Sequence, residues 1–168
     1  MTISMYQASV PRFANILGNL SAILDKAQAH ADAKKIDGTV LTGSRLFPDM
    51  FPMNRQVQIA CDTAEGVVAR LAGVAIPSHD DSEKTFAELK ARIAGAIAFV
   101  QAMTPAQIDG TEDKAIVTKR GDKETHYTGM QFLLGHAVPN FYFHVSATYN
   151  ILRHNGVEIG KRDYLGAF

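Results

Sequence analysis

The chain has 168 residues, 46% hydrophobic and 20% charged, which suffices for one domain, residues 1–168, with a real core. With 17 basic and 17 acidic residues the formal net charge is zero, so composition gives no support for nucleic-acid binding. The single cysteine, Cys61, excludes an intrachain disulfide, no signal-peptide pattern opens the sequence, and the longest apolar run, 93–100, is far short of the ~20 residues of a membrane span; the sequence therefore predicts a cytoplasmic protein with no membrane partner.

The first helix covers roughly residues 4–34, where Tyr6, Val10, Phe13, Leu17, Leu20, Leu24, Ala27 and Ala31 recur at three- and four-residue spacing. Pro11 opens it or kinks it near its start. Residues 35–51 read as a connector punctuated by Gly38, Gly43 and Pro48. Its Leu46, Phe47, Met50 and Phe51 are expected to pack over the bundle end or to rim a pocket. The second helix, 52–71, opens at Pro52 and stops at Gly73. Its apolar arc is Met53, Val57, Ala60, Ala64, Val67, Val68 and Leu71, bordered by Asn54, Cys61 and Glu65, with Gln58 further out.

The third helix is predicted from an N-cap at Ser82, after Asp80 and Asp81, to about Met103, with Thr104-Pro105 as its stop. Phe86, Leu89, Ile93, Ala96, Ile97, Val100 and Met103 form its stripe. His79, in the preceding loop, has no ligand type at metal spacing and reads as solvated. Residues 113–128 change period and make two short β-runs about Arg120-Gly121-Asp122-Lys123, a hairpin whose polar face suits a peripheral flap, with His126 as a residue that could reach over a pocket. Residues 130–138 read as an early turn of the last helix, bent near Pro139. That helix runs from Asn140 to Asn155 before the stop at Gly156.

On the last helix Phe141, Val145, Thr148 and Leu152 share one face, and Asn140, His144, Ala147 and Ile151 form the stripe beside it. Asn140 and His144 thus stand one turn apart at the edge of the buried face. Tyr142 and Phe143 fall off the core stripe, which points to cover by the tail or flap, or to a homodimer interface. The tail, 157–168, lacks a helical stripe and packs on the bundle or on a partner. Four amphipathic segments can bury their stripes only against each other, so the predicted fold is mainly α: a four-helix bundle with a small β-hairpin inserted before the last helix.

The segment FYFHVSATYNILRHNG resembles the last-helix signature of the DinB/YfiT-like superfamily of four-helix bundles. Two blocks, LFPDMFPMNRQVQIACDTAEG (46–66) and PNFYFHVSATYNILRHNGVEIGKRDYLG (139–166), resemble an uncharacterised bacterial domain family placed alongside it. The resemblance implies a divalent metal held by one histidine of the second helix and an HxxxH pair on the last, in relatives that include thiol transferases and isomerases. Here the chain departs from that pattern. Asn140-x-x-x-His144 stands where HxxxH is expected, and the second helix carries no histidine.

Three readings follow. In the first, the three-histidine site is degenerate, and Asn54, Gln58, Asn140 and His144 line a polar pocket at the bundle centre that binds a small molecule without a cofactor. In the second, the protein is a metalloenzyme of the thiol-transferase or isomerase type, in which His144 holds zinc or nickel with Cys61, Glu65 or His126 as replacement ligands. In the third, it is a non-enzymatic homodimer built on the aromatic helix and the tail.

Overall fold

The computed structural model describes residues 3–167. Its elements are, in chain order, α1 (Met5–Lys34), α2 (Gly38–Thr42), α3 (Met53–Ala72), α4 (Phe86–Gln101), α5 (Pro105–Ile108), β1 (Ala115–Arg120), β2 (Lys123–Thr128), a π-helical segment (Gln131–Ala137), α6 (Val138–His154) and α7 (Lys161–Leu165). The long helices α1, α3, α4 and α6 carry the predicted stripes, and those stripes merge into one core in which Phe13 and Phe141 meet edge to face at 4.9 Å. No helix among the described residues is long and apolar enough to cross a membrane.

Side-chain contacts fix the helix directions. Lys90 meets Asp25, and the Tyr6 N–H donates to Asp109 beyond the end of α4, so α4 runs antiparallel to α1. Gln58 meets Glu83 just before α4 and Asp62 meets Arg92 within it, so α3 and α4 are parallel. Asn140 opposite Thr63 and His144 opposite Gln56 make α6 antiparallel to α3. The order is up, down, down, up. Two parallel, sequence-adjacent helices need a connection that returns along the bundle. Helix α3 is roughly 30 Å long, and residues 73–85, which could span about 45 Å when fully extended, are long enough to make that return.

Several local expectations need correction. Helix α4 starts at Phe86, not after Ser82, because Thr85 and Glu88 form a capping box: Glu88 accepts from the Thr85 N–H at 2.9 Å and Thr85 accepts from the Glu88 N–H at 3.3 Å. Thr104-Pro105 ends one helix and also opens the short α5. The connector 35–51 holds α2, capped by Asp37, with Leu41 and Thr42 buried while Leu46, Phe47 and Phe51 stay exposed. Pro11 lies inside α1, in its second turn. The tail forms α7 against α1, pinned by Asn19 to the Tyr164 carbonyl at 3.1 Å and by Lys26 to Asp163 at 2.7 Å.

The hairpin has the predicted turn at Gly121-Asp122, and its register places Arg120 opposite Lys123. The π-helical segment joins it to α6. Pro139 has no N–H to donate and its ring crowds the carbonyl one turn back. The wider turn, with the Val138 N–H reaching the Leu133 carbonyl five residues back, relieves that crowding and keeps the helix continuous. Where the hairpin meets this segment, Gly129 is seated so closely that a Cβ would lie 1.9 Å from the Thr111 carbonyl oxygen.

Candidate functional site

His144 is buried on α6, and its Nδ1 lies 2.7 Å from Oε1 of Gln56 on α3. The Gln56 amide orientation is fixed, because its Nε2 donates to the Phe51 carbonyl at 3.1 Å. Oε1 must therefore accept from His144, and a neutral His144 is the Nδ1–H tautomer with its lone pair on Nε2. Burial, with the charge of Arg55 adding to it, holds its pKa below the ordinary histidine value. One turn earlier, Asn140 donates from Nδ2 to Thr63 Oγ1 at 2.9 Å, and Thr63 in turn donates to the Ile59 carbonyl at 2.7 Å.

The other sequence-predicted site residues face a different groove. Asn54 donates to the Glu83 carbonyl at 3.0 Å, and Gln58 donates to the Glu83 carboxylate at 3.0 Å while accepting from Arg55 at 3.1 Å. Glu65 lies 3.1 Å from Nε2 of His79 and 4.0 Å from Arg92; His79 is exposed, as expected, and also carries a partner that the sequence did not reveal. Arg92, with 3% of its side chain exposed, is surrounded by Asp62, Glu65, Asp81 and Glu83. This ionic layer lies where the crossover 73–85 passes between α3 and α4, and it ties the crossover down. Burial pushes the carboxyl groups of Asp62 and Glu65 above the usual range, with Arg92 and His79 pulling the other way. Cys61 is buried in the same quarter, and desolvation keeps it a thiol.

A metal of the kind the family resemblance implies does not fit these residues. Among the described residues no three His, Cys, Asp or Glu side chains are grouped to hold a metal ion. His144 is the one imidazole in the central position, its α3 partner is the Gln56 amide, the α3 partner of Asn140 is the Thr63 hydroxyl, and Glu65 is engaged with His79 and Arg92 in the other groove.

The open space lies beside this pair. A cleft of about 380 Å³ is walled by α3, the hairpin and the junction of the π-helical segment with α6. Of the four pocket residues read from sequence, Asn140 alone lines it; Thr63, Arg70, Lys119, Arg120 and His136 supply its other main polar groups. One wall is aromatic: Phe132 stacks on His136 at 5.7 Å, and Tyr127 tilts against both. From β2 it is Thr125 and Tyr127, on one face of the strand, that reach the cleft; His126 is exposed on the other. A second hollow of about 290 Å³ under the crossover shares Asp62 and Arg70 with the cleft.

Arg70 is the residue that sequence reasoning missed. Its guanidinium donates to the Gly66 carbonyl at 2.9 Å and sits 5.6 Å from the Phe132 ring centroid. A Cβ on Gly66 would lie 2.7 Å from that guanidinium, so the bare glycine is what admits it. The available signal was a glycine inside an otherwise good helix, four residues before an arginine. The aromatic residues divide: Tyr142 packs on Phe141 and Tyr149 on Tyr164 of the tail, while Phe143 is 59% exposed.

A family model described as "Domain of unknown function (DUF1993)" matches residues 5–165. The crystal structure of a DinB family member protein from Shewanella denitrificans is similar over 97% of this chain and 92% of that chain, with 48% identity and a TM-score of 0.88. No curated protein matches the chain.

Proposed function

The chain belongs to the DUF1993 family of DinB-like four-helix bundles, and on that premise we propose that it binds a small molecule in the cleft between α3, the hairpin and the start of α6, without a bound metal. The observation that carries this reading is the cleft itself: about 380 Å³, with an aromatic wall and convergent polar groups, adjoining the Asn140–Thr63 pair. Small-molecule sites are concave, a few hundred Å³ in size, and lined by apolar surface with a few placed polar groups. Asn140 suits the role of an orienting group. Its Nδ2 is spent on Thr63, and its Oδ1 has no partner among the described residues, which leaves an acceptor for a ligand.

This differs from a pocket at the bundle centre. Gln56 takes up Nδ1 of His144 and Thr63 takes up Nδ2 of Asn140, so a ligand meets the edge of that pair and not its middle. The test is a thermal-shift screen of small metabolites at millimolar concentration. A ligand present at 100 times its Kd adds about 2.7 kcal/mol of stability, roughly 2–4 °C in Tm per kcal/mol for a chain of this size. Stabilising compounds are expected to lose their effect in Asn140→Leu and Tyr127→Ala and to keep it in His144→Gln. Stabilisation that survives both cleft variants and disappears in His144→Gln would refute the assignment.

A further inference from the structure

Resting on the reading of the cleft as a ligand site, we infer that its ligand is an anion: a small molecule with a carboxylate or phosphate group beside a flat ring. The argument starts from Arg70. Its guanidinium has five N–H donors, and the one protein acceptor it meets among the described residues is the Gly66 carbonyl. No carboxylate of the described residues lies within salt-bridge distance of it, whereas the neighbouring Arg55 and Arg92 are each paired with at least one. A half-buried cation that is positioned but unpaired holds free donors for a group from outside.

The remaining charges of the cleft agree. Lys119 and Arg120 line it from the hairpin, Lys119 meeting only Glu124 at 3.8 Å on an exposed surface. Asp62, the one acidic residue of the lining, is already engaged by Arg92. The lining thus carries three cations, Arg70, Lys119 and Arg120, against one acid, in a chain whose formal net charge is zero. The flat part of the ligand follows from the Tyr127–Phe132–His136 wall, which offers stacking surface next to the guanidinium.

Gly66 makes the inference testable without damage to the fold. A methyl group there meets only the far end of Arg70, so Gly66→Ala is expected to unseat the guanidinium and leave α3 intact. Calorimetric titrations at low salt with phenyl phosphate and benzoate are compared with the neutral benzamide and benzyl alcohol. The anions are expected to bind roughly ten- to a hundredfold more tightly, the worth of hydrogen bonds to a charged group. Gly66→Ala and Arg70→Gln are each expected to remove that preference, read within each variant as the ratio of benzoate to benzamide affinity. Neutral probes binding as tightly as anions, or an anion preference that survives both variants, would overturn the inference and leave the cleft as a ligand site. Absence of binding by every probe would remove the inference together with the site.

Discussion

At the scale of the residue, His144 shows how the neighbours of a buried imidazole set its chemistry. Its Nδ1–H is held by Gln56, and burial keeps the ring neutral. Because the folded pKa lies below the unfolded value of 6.5, the unfolded chain binds the extra proton between the two, and His144 favours the folded state less as pH falls below 6.5. Denaturant titrations from pH 7.5 to 5 are expected to show this loss, with a slope of at most about 1.4 kcal/mol per pH unit from one proton. His144→Gln, which can still donate to Gln56, is expected to lack that component. An unchanged slope in the variant would assign the dependence to other groups. Gly66 gives a second expectation. Relieved of a mid-helix glycine, Gly66→Ala is expected to keep its stability or gain up to about 1 kcal/mol, and a marked loss would mean that Arg70 supports the fold as well as the cleft.

At the scale of the element, the parallel α3–α4 pair dictates the rest: a crossover that returns along the bundle, an ionic layer beneath it and one arginine at the centre of that layer. Arg92→Leu removes the charge that four carboxylates share, and breaking a buried pair of this kind is expected to cost about 3–5 kcal/mol, with early proteolytic cleavage within 73–85. A cost below 1 kcal/mol would show that solvent already reaches the layer. Gly129→Ala drives a methyl group into the Thr111 carbonyl and is expected to lower stability by about 1–3 kcal/mol, read as a fall of several degrees in Tm. Much at this level was legible in the sequence, because the stripes of all four long helices and the Gly121-Asp122 turn are local patterns. The start of α4 was not, since Ser82 looks like a cap until the reciprocal Thr85–Glu88 pair is weighed against it. The role of His79 was hidden because Glu65 lies fourteen residues earlier and only the crossover brings the two together.

At the scale of the whole molecule, the candidate site was half legible. The Asn140-x-x-x-His144 spacing singled out a stretch of α6 of which Asn140 lines the cleft. Asn54, Gln58, Cys61 and Glu65 sit on α3 at positions that a helical wheel places near the same border, yet α3 packs against α4 and α6 and lies under the crossover, so its polar residues divide between two grooves. No wheel distinguishes those grooves. The cleft itself forms where the hairpin, the π-helical segment and α3 meet, a junction of parts remote in sequence. It is this junction, and not the His144 position, that we propose receives the ligand. Amide chemical-shift mapping by NMR during a phenyl phosphate titration tests it most directly. Shifts clustered on Thr63, Arg70, Thr118, Thr125, Phe132 and Asn140 are the expected result. Shifts centred on Gln56, Phe143 and His144, with the hairpin unmoved, would contradict it.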